Sequence, residues 1–148
     1  MSEYQDTWLA IKGKMDDNSP LNSFLGMPIV YMDQDIDISK MPTLVVGFGT
    51  PSLDDLNFAM KQKKTGIITL QPKLKVQHHD NAKRALMVWE GIELLFNCFD
   101  ANMVYGTPNK IIKIPRMQVI SITTMGEGTL EAITEIDFQT QPFTFGNR

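Results

Sequence analysis

Hydrophobic residues near the N-terminus recur at the three- and four-residue spacing of one helix face: Tyr4, Trp8, Ile11 and Met15. This spacing predicts an amphipathic first helix over residues 3–16. Ser19 followed by Pro20 predicts a short second helical turn, because serine suits the N-cap and proline the first helical position.

A second helical pattern covers about residues 81–99, and Asp80 can cap it. One predicted face carries Ala82, Ala85, Leu86, Trp89, Ile92, Phe96 and Phe99. Apolar residues also lie off this face: Met87, Val88, Leu94, Leu95 and Cys98. A helix that is apolar nearly all round is covered on more than one side. We therefore expect a partner subunit to supply a second cover.

Extended patterns fill most of the remaining chain. Apolar, β-branched or alternating runs predict strands near 29–32, 43–48, 67–70, 74–78, 111–114, 117–124 and 130–138. Pro72 indicates an edge or a bend, and Gly126-Glu127-Gly128 predicts a hairpin turn. Polar stretches predict connections at 33–42, around 51–55 and at 61–66.

This order of elements predicts an α+β fold: a mainly antiparallel sheet packed against an N-terminal helix and a long central helix. A chain of 148 residues fits a single domain, 1–148, with a short C-terminal tail at 140–148. Hydrophobic residues make up 43% of the chain, which argues against a disordered protein.

The residues offer little catalytic chemistry. Cys98 is the only cysteine, so no internal disulfide or cysteine metal cluster is possible, and we expect a buried thiol. His78 and His79, if they lie on a strand, point to opposite faces and cannot share a metal. The sequence predicts no enzyme, no cofactor, no metal and no membrane span.

One acidic stretch imitates the first three ligands of a calcium loop: Asp33, Asp35 and Asp37. Ile38 and Leu44 stand where such a loop needs glycine and a bidentate glutamate. An exposed acidic loop and a weak cation site both remain open.

Charge is unevenly distributed along the chain. Residues 61–84 contain seven lysines and arginines against one acid, Asp80. Acidic residues follow near the C-terminus: Glu127, Glu131, Glu135 and Asp137. Opposite charges at two ends of a subunit can attract copies head to tail, and such contacts can close into rings. The predicted interface comprises Lys61, Lys63, Lys64, Lys73, Lys75, the four acidic residues, and an apolar hook of Phe143 and Phe145.

A solvated charged surface is the alternative explanation of these segments. Nucleic-acid binding by the basic segment is a third, but that segment lacks interleaved aromatic residues, and we expect no specific nucleic-acid binding. The net charge of -3 also gives no general indication of a nucleic-acid binder.

The order and size of the elements resemble the tail terminator (tail completion) family of tailed bacteriophages, over about residues 3–140. The closest local likenesses are the helix beginning Trp8-Leu9-Ala10-Ile11 and the hairpin Val119–Phe138. The resemblance implies a hexameric ring that caps the tail tube, meets the head connector and performs no catalysis.

We therefore expect a structural virion protein of a phage tail or neck, made in the host cytoplasm, with itself, tail-tube and head-connector proteins as partners. The alternatives are another tail, baseplate or head-completion subunit, or a small cellular binding module that uses residues 61–84.

Overall fold

The computed structural model describes residues 3–31, 41–49, 52–57, 63–99, 102–105, 110–140 and 143–144. These residues adopt an α+β fold with three helices and one mixed sheet. The elements are α1 (Glu3–Asp16), α2 (Ser19–Phe24), β1 (Val30–Tyr31), β2 (Thr43–Phe48), β3 (Ser52–Asn57), β4 (Lys63–Gln77), α3 (Asn81–Phe96), β5 (Asn102–Tyr105), β6 (Lys110–Met125), β7 (Thr129–Gln139) and β8 (Phe143–Thr144).

The strands of the sheet are arranged in the order β1-β2-β4-β7-β6-β5, and β3 and β8 pair with the first residues of β4. β1 runs parallel to β2, whereas the other pairs are antiparallel. The sheet is therefore mixed, because the parallel β1–β2 pair departs from the predicted antiparallel pairing. β1 contains only two residues, and so short a run gives no sequence signal of its direction.

Strand β4 corrects two further predictions. It is one continuous strand of 15 residues, where the sequence predicted a turn at 61–66 and two runs separated at Pro72. Pro72 lies between β2 and β7, not at a sheet edge. The Thr134 hydroxyl of β7 donates a hydrogen bond of 2.9 Å to the Pro72 carbonyl. This bond satisfies the buried carbonyl oxygen of Pro72, a residue that has no N–H to donate to the neighbouring strand.

Two more elements differ from the predictions. The polar stretch predicted as a loop around 51–55 contributes strand β3, which pairs with β4. α3 has 16 residues and ends at Phe96, so the predicted long helix to residue 99 is too long. The predicted connector at 33–42 lies mostly outside the described residues, and its Asp33, Asp35 and Asp37 lie wholly outside them.

The helix starts follow from local capping. α1 has the predicted bounds, and Ile11 and Met15 are fully buried. α2 is capped by Asn18 and not by the predicted Ser19: Asn18 Oδ1 accepts the Leu21 N–H at 2.9 Å. Asp80 caps α3 as predicted, since its Oδ1 accepts the backbone N–H groups of Ala82 and Lys83 at 2.9 and 3.2 Å.

The core lies between the helices and one face of the sheet. Alternate β7 residues are buried there as the sequence predicts: Ala132, Thr134, Ile136 and Phe138. α3 lies so close to the sheet that a Cβ on Gly91 would be 2.4 Å from Leu74 Cδ2 and 3.0 Å from Phe24 Cε2. The buried side of α3 is Val88, Gly91, Ile92 and Leu95, which corrects the predicted face, since Leu86 and Trp89 are exposed.

Candidate functional site

The charged residues predicted at a subunit interface lie mainly on two neighbouring strands. Lys73 and Lys75 are on β4, and three of the acidic residues, Glu131, Glu135 and Asp137, are on β7. These side chains share the sheet face that points away from the helices, because the alternate β7 residues are the buried ones. Lys75 is directly opposite Glu131, with an Nζ–Oε2 distance of 3.5 Å.

Arg116 on β6 holds the other two carboxylates of this face. Its Nη2 is 2.5 Å from Glu135 Oε1, and its Nε is 3.1 Å from Asp137 Oδ2. On the β4 side, the Thr69 hydroxyl donates to Asp137 at 2.8 Å and the Gln71 amide donates to Glu135 at 3.3 Å. Arg116 was not predicted from the sequence, because only the register of β6 against β7 places it opposite Asp137.

The remaining predicted interface residues are placed as follows. Lys63 and Lys64 of β4 pair through the backbone with Thr144 and Phe143 of β8. Glu127 is an exposed residue of the β6–β7 turn, and its carbonyl accepts a 3.1 Å hydrogen bond from Gln77 Nε2. Lys61 and Phe145 lie outside the described residues.

The basic and acidic segments are therefore adjacent strands of one sheet and not opposite ends of a subunit. Ion pairs within the chain already join Lys75 to Glu131 and Arg116 to Glu135 and Asp137. This arrangement removes much of the charge complementarity that the predicted head-to-tail contact relies on. The interface role of these residues stays a prediction.

The helix α3 presents large apolar side chains to solvent. Leu86 is 69% exposed and Trp89 is 56% exposed. With the exposed residues Ala82 and Ala85 they form one stripe, which we call the α3 flank: Ala82, Ala85, Leu86 and Trp89. Single exposed apolar residues are ordinary on a protein surface, but a contiguous patch marks an interaction site.

The position of the α3 flank follows from the packing of α2. The Phe24 ring of α2 adjoins Gly91, and Trp89 is two positions away, about 200° around the helix. The α1 residue Trp8 contacts Tyr31 of β1 and Phe48 of β2, with ring centroids 5.5 and 4.9 Å apart. Because Phe24 of α2 packs at Gly91, the α3 flank lies on the side of α3 away from α2. No described helix covers it.

The two histidines lie beyond the end of β4, so they are not on a strand and the condition for opposite sheet faces is not met. Their rings stack with centroids 4.5 Å apart. His78 Nδ1 accepts the Asp80 N–H at 3.0 Å, and the His78 carbonyl accepts Arg84 Nη1 at 2.9 Å. Among the described residues, no group of three His, Cys, Asp or Glu side chains is placed to hold a metal.

The remaining candidates for chemistry are modest. Cys98 is buried as predicted, and burial raises the pKa of its thiol to about 11, which disfavours a reactive thiolate. A cleft of about 350 Å³ opens beside the β6–β7 turn, lined by Met41, Lys75, Met125, Gly126, Glu127 and Thr129. The Lys75 ammonium in this cleft is the one paired with Glu131.

None of the described helices is long and apolar enough to cross a membrane.

The chain matches no protein-family model, and comparison with curated proteins finds no significant relative.

Proposed function

We propose that this protein is a structural subunit of a phage tail or neck, which assembles with copies of itself into a ring that caps the tail tube. The observation that carries the proposal is the α3 flank: Leu86 and Trp89 are 69% and 56% exposed on the helix that forms part of the core. Burial of such side chains between subunits is favourable by about 25 cal/mol per Å² of apolar surface.

Two other observations support an assembly role. The order of the elements resembles the tail terminator family, whose members form hexameric rings between tail tube and head connector. The charged side chains of the outer sheet face are largely satisfied within the chain, so we place the ring contact on the apolar α3 flank.

The test is the mass of the protein in solution, measured by light scattering over a range of concentration. We expect the wild type to form a ring of defined mass and Trp89→Lys to lower that mass, because a lysine at this position resists desolvation. Glu90→Lys is the matched control, since it places a lysine on the next exposed position outside the flank. A wild type that stays monomeric at high concentration would contradict the proposal. Imaging of labelled protein on phage particles then separates a neck position from a baseplate position.

A further inference from the structure

Strand β6 has one edge without a strand partner among the described residues. On its inner side it pairs with β7 along Lys113–Met125, whereas on its outer side β5 pairs only with Lys110–Lys113. Beyond Pro115 and Arg116, the outer edge from residue 117 to residue 125, which we call the open edge, therefore presents backbone N–H and C=O groups with no described strand beside them. An open edge is a template for pairing with another chain.

The composition of the open edge favours pairing and does not prevent it. Soluble proteins usually protect an edge with lysine, proline or inward-pointing charge. Residues 117–125 read Met-Gln-Val-Ile-Ser-Ile-Thr-Thr-Met, without any charge, proline or glycine. The nearest charged residue, Arg116, is engaged with Glu135 and Asp137 of its own chain.

Large apolar side chains accompany this edge. Ile120 is 50% exposed, Ile122 is 38% exposed and Met125 is 41% exposed. Ile122 is opposite the buried Ala132 in the register, so it lies on the helix side of the sheet. The register shifts between Val119 and Ser121, which leaves Ile120 as an extra residue in a bulge. A bulge can protect an edge, so the regular part of the open edge is residues 121–125, which pair with β7 without a further shift.

We propose that the open edge of β6 pairs antiparallel with the open edge of a second copy of this chain, so that the two sheets become one continuous sheet. A second copy fits better than a charged peptide, because antiparallel pairing of an uncharged strand with itself brings no like charges face to face. Pairing of identical edges is isologous and closes at two copies, which leaves neither edge free to propagate. The contact is distinct from the head-to-tail contact of a ring, and it does not rest on the proposed ring.

The test is a charge placed on the edge. Thr123 is exposed and is opposite Glu131 within the chain, so Thr123→Lys gains a favourable neighbour in its own subunit. In a pair of copies, the same change places a charged lysine of each subunit at the shared edge, where lysine opposes strand pairing. We expect Thr123→Lys to raise the dissociation constant of the pair at least about tenfold, measured by analytical ultracentrifugation.

Two matched measurements complete the test. Thr123→Val keeps the β-branched shape without charge, and we expect it to pair at least as well as the wild type. Amide hydrogens of residues 117–125 should exchange more slowly as the wild-type concentration rises.

The proposal is overturned if the wild type shows no concentration-dependent association at the edge, if Thr123→Lys associates as tightly as Thr123→Val, or if exchange at 117–125 is independent of concentration. Pairing of β6 with another protein and never with itself gives the first of these results. Loss of the ring in Trp89→Lys with edge pairing intact would separate this contact from the ring contact.

Discussion

Gly128 occupies the tightest position of the β6–β7 turn. Its φ of +72° lies in the left-handed region, where residues with a side chain are strained. A Cβ at this position would also be 3.0 Å from Arg84 Nη1 and 3.0 Å from the His78 carbonyl oxygen. The turn and the start of α3 therefore meet at a place where only glycine fits well.

We predict that Gly128→Ala destabilises the protein by about 1–3 kcal/mol, since it combines backbone strain with a close approach. Gly126→Ala in the same turn is the control, because a Cβ there meets nothing within 4 Å. Chemical denaturation of both variants measures the two free energies of unfolding. Equal losses in both would contradict the role assigned to the Gly128 backbone.

At the scale of elements, the start of α3 depends on the Asp80 carboxylate. Hydrogen bonds from the backbone N–H groups of Lys83 and Ala82 lower the pKa of Asp80. A carboxyl with a lowered pKa in the folded protein stabilises it above the pKa of the unfolded chain. This contribution is lost as the pH falls through the unfolded value near 3.8 and then through the lower folded value.

We predict that Asp80→Ala lowers the melting temperature at pH 7, because α3 loses its cap. Asp80→Asn should retain most of the stability at pH 7, since asparagine also caps helices, but it removes the titration. The melting temperatures of the wild type and Asp80→Asn should therefore respond differently to acid, with the wild type losing the carboxylate contribution below about pH 4. Identical acid profiles of the two proteins would show that the carboxylate cap contributes nothing measurable.

Elements with a strong local pattern were predictable from sequence. The bounds of α1 and β2, the Asp80 cap and the alternation of β7 are confirmed, because each depends on residues close together in the chain. β3 was not predictable, since Ser52–Asn57 is polar and becomes a strand through its pairing with β4.

The exposed side of α3 was not predictable for a related reason. The helix carries apolar residues nearly all round, so its own sequence does not select the face that meets the sheet. Close packing of Leu74 and Phe24 at Gly91 makes that selection, and it turns Leu86 and Trp89 outward. The candidate assembly surface is thus a consequence of tertiary packing at a glycine.

For the whole molecule, the decisive arrangement is that β4 and β7 are neighbours in the sheet. The sequence suggested a basic pole and an acidic pole, and from these an electrostatic contact between subunits that salt would weaken. In the folded chain Lys75 pairs with Glu131, and Arg116 with Glu135 and Asp137. Charges that are neutralised within a subunit contribute little to attraction between subunits.

We therefore predict that self-association depends weakly on sodium chloride and is strengthened by sodium sulfate. Screening reduces contacts between exposed charges, whereas sulfate promotes the burial of apolar surface such as Leu86 and Trp89. Light scattering at constant protein concentration, with each salt in turn, measures the effect, and Trp89→Lys should reduce the response to sulfate. A mass that falls steeply with sodium chloride would instead support the electrostatic head-to-tail contact, and would return the charged strands to the interface.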